Sequence, residues 1–170
     1  ILDETAGFAP LTAYGESKVF AERDIAPLAD DDFTPVFLRN ATVFGASPRL
    51  RGDVVVNNLT GVALTTGDIH MRSDGTPWRP LVHVRDVCRV AAAALVAPRE
   101  RVHNQAINVG RTDQNLRISE VAEIVEAAIP GTRITYADDA GPDLRCYRVD
   151  CSKLVELLPE AAPQMTVADG

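Results

Sequence analysis

The chain has 170 residues, is 46% hydrophobic and 24% charged, and carries a net charge of −7. That is enough apolar material for one ordinary domain with a real core, and no apolar run reaches the roughly 18 residues that a membrane helix needs. The acidic balance, without a long basic stretch, excludes nucleic acid and anionic membrane as general partners.

The opening residues do not read as a signal sequence. Cys88, Cys146 and Cys151 are odd in number and lack metal-ligand spacing, and His70, His83 and His103 do not cluster with them. All three cysteines therefore read as reduced and structural in a cytoplasmic protein, with no metal site. Lys18 and Lys153 are the only lysines, so arginine supplies nearly all the positive charge. That suits two-point phosphate contacts and equally a GC-rich genome.

Residues 1–11 read as a loop broken by Gly7 and Pro10. Thr12 is the expected N-cap of a helix running to about Ala26, where Pro27 and the acidic run Asp30-Asp31-Asp32 end it. Tyr14 and Lys18 lie four apart on that helix, on one face. A phenol beside an ammonium yields its proton more readily and can serve as acid or base. As a bare pair they read equally as two surface side chains.

Thr34 to Thr42 reads as a strand of the kind covered on both faces. Arg39 and Asn40 close it, where the bland readings are a salt bridge and a turn former. Asp53 is the expected cap of a helix to about Leu64, with Asn57 and Asn58 in its first turn. Amides at a helix start suit a phosphate, or are two polar surface residues.

Asp74-Gly75 marks a turn, and Leu81 to Val84 a short strand in which His83 reads as a satisfied, half-buried histidine. Arg79 is open to stacking on Trp78 or to a surface ion pair. Asp86 is the expected cap of a helix to Val96, and Gln105 to Val109 reads as a strand. Ser119 caps a helix to Ile129 with Val121, Ile124 and Val125 as its stripe. Arg133 to Tyr136 reads as a strand, Ser152 as the cap of a short helix, and the tail after Pro159 as frayed. Arg145, in a loop, reads by itself as a surface ion pair.

Several segments occur together in one order: Leu2-Asp3-Glu4-Thr5, Ala13-Tyr14-Gly15-Glu16-Ser17-Lys18, Phe37-Leu38-Arg39-Asn40, Asn57-Asn58-Leu59, Trp78-Arg79-Pro80-Leu81-Val82-His83, Asn108-Val109-Gly110 and Asp143-Leu144-Arg145. The ordered set resembles the extended short-chain dehydrogenase/reductase family, in its nucleotide-sugar epimerase and dehydratase branch. The resemblance implies an α/β fold: the C-terminal part of a Rossmann fold, with an interleaved small α/β substrate domain. Residues 1–45 would be the tail of the Rossmann domain with the Tyr-x-x-x-Lys helix. Residues 46–170 would be the substrate-binding part, interleaved with late Rossmann strands that run parallel.

The resemblance further implies NAD or NADP, with NAD favoured, and a nucleotide-sugar substrate. Tyr14 would take the proton from the sugar 4-hydroxyl, and Lys18 would bind the nicotinamide ribose and favour the phenolate. Asn40, Asn58, Arg79 and Arg145 would contact the substrate, the last three at its diphosphate. A homodimer through the Tyr14 helix is also implied.

One part of the family pattern is missing. No G-x-G-x-x-G or G-x-x-G-x-x-G occurs anywhere in the 170 residues, and a dinucleotide site needs that turn. The family's Ser or Thr upstream of the tyrosine is missing as well. The chain is therefore expected to be the C-terminal half of a larger enzyme and not to bind dinucleotide tightly alone. Two other readings follow: a regulatory relative with little turnover, and a half-protein with a structural role.

Overall fold

The computed structural model describes residues 1–141 and 146–170. Helix α1 spans Ala13–Ile25, with the Thr12 hydroxyl accepting from the Gly15 N–H at 3.1 Å, the capping expected from the sequence. Strands β1 (Val36–Asn40) and β2 (Thr42–Phe44) follow, then helix α2 (Val55–Thr66), which ends on Gly67 at φ 73°. That left-handed position suits glycine because a Cβ would be strained there.

Strands β3 (Asp68–Ser73) and β4 (Trp78–His83) lead into helix α3 (Val84–Val96) and the single turn α4 (Arg99–Val102). Strands β5 (Gln105–Val109) and β6 (Asn115–Arg117), helix α5 (Ile118–Ala128), strand β7 (Arg133–Gly141) and helix α6 (Ser152–Leu157) complete the order.

Among the described residues the strands form three small sheets. β1 pairs β5 in parallel, with Val36 opposite Gln105 and Asn40 opposite Val109. β2 pairs β4 in parallel, and β4 pairs β6 antiparallel. β3 pairs β7 in parallel, with a register shift between Met71 and Ser73. The parallel β1–β5 pair agrees with the expected sheet.

One core joins Ile107 and Val109 of β5 to Val82, Val90 of α3, and Leu154 and Leu158 around α6. A second gathers Phe44, Val56, Leu81, Val121 and Val167, and a third lies between α2, β3 and α5. The apolar stripe of α5 read from the sequence supplies Val121 and Val125 to these cores.

Several cap assignments are corrected. Asp53 does not cap α2: Val54 holds the N-cap position with no side-chain hydrogen bond, and Asp53 instead pairs with Arg51 at 2.5 Å. Asp86 does not cap α3: the His83 ring accepts from the Arg85 N–H at 3.2 Å. Asp86 is only 1% exposed, and its carboxylate accepts from the Gln164 and Met165 N–H groups and from Arg89. Arg117, not Ser119, precedes α5, and its N–H donates to Glu120.

The tail is also not frayed. Val167 is buried in the second core, and its N–H donates to the Gln114 side chain at 3.0 Å. Two internal partners, a buried carboxylate and an apolar pocket, outweigh the breaking effect of Pro163.

Candidate active site

Helix α1 presents Tyr14 and Lys18 from its first two turns. The Lys18 Nζ lies 5.1 Å from the Tyr14 ring centroid, so the four-residue spacing does bring the two groups together. Both are exposed, Tyr14 by 73%. A charged ammonium held over an aromatic ring is mildly favourable even when solvated.

The residues leading into α1 line a cavity of about 640 Å³, whose lining does not include Tyr14 or Lys18. Leu11 and Thr12 form one side, Asn40 and Asn108 the strand ends, and Cys146 and Tyr147 the far wall. The floor comes from the carboxyl ends of β1 and β5, which is where open α/β sheets bind ligands. The opening segment crosses these ends: Leu2 bridges Val149, and the Glu4 carboxylate accepts from the Asn108 N–H at 2.7 Å.

A second cavity, of about 1100 Å³, holds Asn58 and Arg79, with Arg51, His70 and Arg72 at its walls. Asn58 uses its Nδ2 to hold the Gly52 carbonyl at 3.0 Å, and Asn57 holds Gly45 N–H and Arg51 carbonyl. These two amides thus shape the 45–53 loop, whose Arg51 and Asp53 line the cavity. Arg79 is buried, at 9% exposure, and donates to the Trp78 carbonyl at 3.0 Å. It does not stack on Trp78; the guanidinium carbons of Arg117 and Arg148 lie 5.1 and 4.9 Å from that ring instead.

The sequence-derived residues therefore fall into three groups: Tyr14 with Lys18 on the helix, Asn40 in the smaller cavity, and Asn58 with Arg79 in the larger one. Arg145 lies outside the described residues. Arg51 is held above its ordinary range by its hydrogen bond to Asp53 and that carboxylate's charge.

Arg39 is the salt-bridge residue its sequence suggested, but with more partners than one. Its Nε and Nη2 bind both carboxylate oxygens of Glu22 on α1, at 3.0 and 2.5 Å. Its Nη1 donates to the Glu4 carbonyl at 3.0 Å, and its guanidinium carbon lies 4.6 Å from the Phe8 ring centroid. Sequence reading did not single out Glu4 or Glu22. Glu22 was legible in principle, since it continues the Tyr14–Lys18 stripe by four residues.

His83 is buried more deeply than expected, edge-on to Phe44 at 5.3 Å between centroids. Burial holds its pKa below the ordinary value of 6.5, against the opposing charge of Asp86. Cys151 is buried and its thiol is pushed up to about 12 by burial, then by Glu4 and Asp150. It is a packing cysteine, whereas Cys88 and Cys146 are exposed. Among the described residues no group of three or more His, Cys, Asp or Glu side chains could hold a metal ion, and no helix is long and apolar enough to cross a membrane.

Comparison with known proteins places this geometry. The model of the NAD dependent epimerase/dehydratase family matches residues 2–110. Among solved structures, MoeE5 in complex with UDP-glucuronic acid and NAD is similar over 100% of this chain and 56% of its own, at 25% identity and a TM-score of 0.81. UDP-glucuronic acid 4-epimerase from Bacillus cereus, solved with UDP-glucuronic acid and NAD, is 24% identical, covering 99% of this chain and 53% of that one at a TM-score of 0.80. TunA, an NAD dependent NDP-hexosamine 5,6-dehydratase, is 22% identical over 98% of this chain and 54% of its own, at a TM-score of 0.80. The chain thus spans about half the length of the solved chains it matches. It belongs to the NAD dependent epimerase/dehydratase family, and its α/β fold is that of the extended short-chain dehydrogenases.

Proposed function

We propose that this member of the NAD dependent epimerase/dehydratase family contributes the catalytic helix and substrate cleft of an enzyme acting on a nucleotide-activated sugar. The observation that carries the reading is the Tyr14–Lys18 pair, 5.1 Å apart on the helix whose leading residues Leu11 and Thr12 line a cavity at the sheet's carboxyl edge. In this reading the glycine turn of the dinucleotide site comes from polypeptide outside these 170 residues, consistent with the missing glycine motif. Residues 1–45 then end the Rossmann domain, and residues 46–170 carry the substrate-binding part with the late strands.

The residues present fit a nicotinamide ribose. Lys18 offers an ammonium and Tyr14 a phenol on one exposed face of α1, and Asn40 and Asn108 line the space at the strand ends. NAD, when bound, supplies a hydride acceptor and donor for a carbon of the sugar. Lys18 would hold ribose hydroxyls by hydrogen bonds, with its ammonium beside the phenol. Tyr14 holds the proton of the sugar 4-hydroxyl and returns it at the same oxygen, so that the sugar passes through a 4-keto form.

Asn58 and Arg79 face the larger cavity, where an amide and a buried guanidinium suit a diphosphate. Arg145 is assigned the same task by family resemblance. Anchoring the diphosphate away from the reacting carbon sets the orientation of the sugar ring. Asn40 contacts the sugar. The same reading makes the protein cytoplasmic and dimeric through α1, which buries none of its own residues.

The test is product analysis with the full-length protein. Incubation with NAD and UDP-glucose or UDP-glucuronic acid, followed by proton NMR of the sugar ring, is expected to show a changed C4 configuration or loss of water. Replacing Arg79 with Met is expected to weaken UDP binding by about tenfold or more, a loss of one charge-assisted contact. Unaltered sugars across a panel of nucleotide hexoses, with UDP binding insensitive to Arg79, would count against the assignment.

A further inference from the structure

Tyr14 and Lys18 sit on a helix with little packing of its own. None of the residues of α1 is buried. Phe20 is 49% exposed and Ile25 37%. Apolar burial is what ordinarily fixes a helix on a protein body. Something else must fix the azimuth of a helix whose two reactive side chains are useful only if they point one way.

The stripe that carries them continues to Glu22. Positions 14, 18 and 22 are spaced by four, so they share a face. At the third position the Glu22 carboxylate is gripped at both oxygens by Arg39 of β1. Both side chains are largely shielded, at 23% and 19% exposure. Two-point contact between a planar guanidinium and a carboxylate fixes orientation as well as distance. Arg39 spends its remaining nitrogen on the Glu4 carbonyl, while the Glu4 carboxylate holds the Asn108 N–H on β5.

We infer that the Glu22–Arg39 pair is a positioning clamp: it ties the Tyr14–Lys18 face of α1 to the carboxyl edge of the β1–β5 sheet, and so sets the phenol's aim at the substrate. Neither Glu22 nor Arg39 reacts; both act through Tyr14 and Lys18. The inference rests on the reading of Tyr14 and Lys18 as the reacting pair. The linkage from α1 through Arg39 and Glu4 to Asn108 also crosses the floor of the smaller cavity, which Arg39 and Asn108 both line. Helix orientation and cavity shape are thereby fixed by one set of contacts.

The experiment compares Glu22→Gln, Arg39→Lys and the double exchange Glu22→Arg with Arg39→Glu, all in the full-length protein. Glu22→Gln keeps the side-chain length and Arg39→Lys keeps the charge, each loses the charged two-point contact, and the exchange restores it in reverse. The first readout is amide hydrogen exchange, which does not depend on activity. Exchange in Ala13–Ile25 is expected to quicken by about tenfold in both single variants, with α3 and α5 unchanged, and to slow again in the double exchange.

The second readout is turnover of a UDP-hexose with NAD. kcat is expected to fall by about 10- to 100-fold in the single variants with a much smaller change in KM, because misaimed groups impair the reacting geometry more than binding. Unchanged α1 exchange in both single variants overturns the inference, and so does loosened exchange with unchanged kcat. General loosening in Arg39→Lys would report misfolding of that variant, and Glu22→Gln then decides. A Tyr14→Phe control separates the two levels. Full turnover in that control defeats the reading of the reacting pair, whatever α1 exchange shows.

Discussion

Helix α1 and strand β4 both carry residues of the proposed site, under opposite physical conditions. Every residue of α1 keeps some exposure, and Tyr14 and Lys18 face solvent. In β4, Arg79 through His83 are all buried, and Leu81 and Val82 belong to two different cores. A helix held by a clamp can place a reactive group without contributing much stability. A buried strand can hold rigidly the arginine proposed to bind phosphate, but any change in it is felt by the whole fold.

Two expectations sharpen that contrast. Leu81→Ala removes a fully buried side chain between Phe44, Val56 and Val121, and is expected to cost about 2–5 kcal/mol in denaturant unfolding. If Leu81→Ala leaves the unfolding midpoint unchanged, the second core does not support the site as described.

The smaller effect concerns pH. His83 is kept neutral in the fold by burial, so its folded pKa lies below 6.5. Above that value both states carry a neutral ring and His83 contributes no pH dependence. As the pH falls through about 6.5, the unfolded chain gains a proton that the folded chain resists, so stability declines on acidification. Unfolding midpoints between pH 7.5 and 5.5 should therefore fall in the native protein and fall less in His83→Asn. Equal slopes for the two proteins would remove His83 from the account.

Much of this organisation was legible in the sequence, for reasons that differ by region. Thr12 caps α1 as its hydroxyl and position demand, and the all-apolar run before Arg39 marks β1. The stripe of α5 is visible because Val121 and Val125 recur at helical spacing. Such signals are local, and the backbone responds to them locally.

What was not legible depends on groups distant in sequence. Asp86 looks like a helix cap, yet it accepts from Gln164 and Met165, 78 and 79 residues on. That contact orders a tail that Pro163 and the terminal Gly170 mark as loose. Asp53 was drawn from its capping role by Arg51, two residues before it. In the candidate site, the Tyr14–Lys18 proximity follows from spacing alone, but the grip of Arg39 on Glu22 does not. It requires the loop, helix and sheet to be folded together before the two side chains meet.

The most direct test of the account is reduction of the nicotinamide by a nucleotide sugar, followed at 340 nm in full-length protein carrying Tyr14 or Tyr14→Phe. The substitution removes a hydroxyl from a 73% exposed side chain, so the unfolding midpoint should not move. The rate of reduction should fall by about 10²–10⁴-fold, the loss typical of a missing acid–base group. An unchanged rate in the phenylalanine variant would contradict the central claim that the phenol of α1 carries the proton of the reaction.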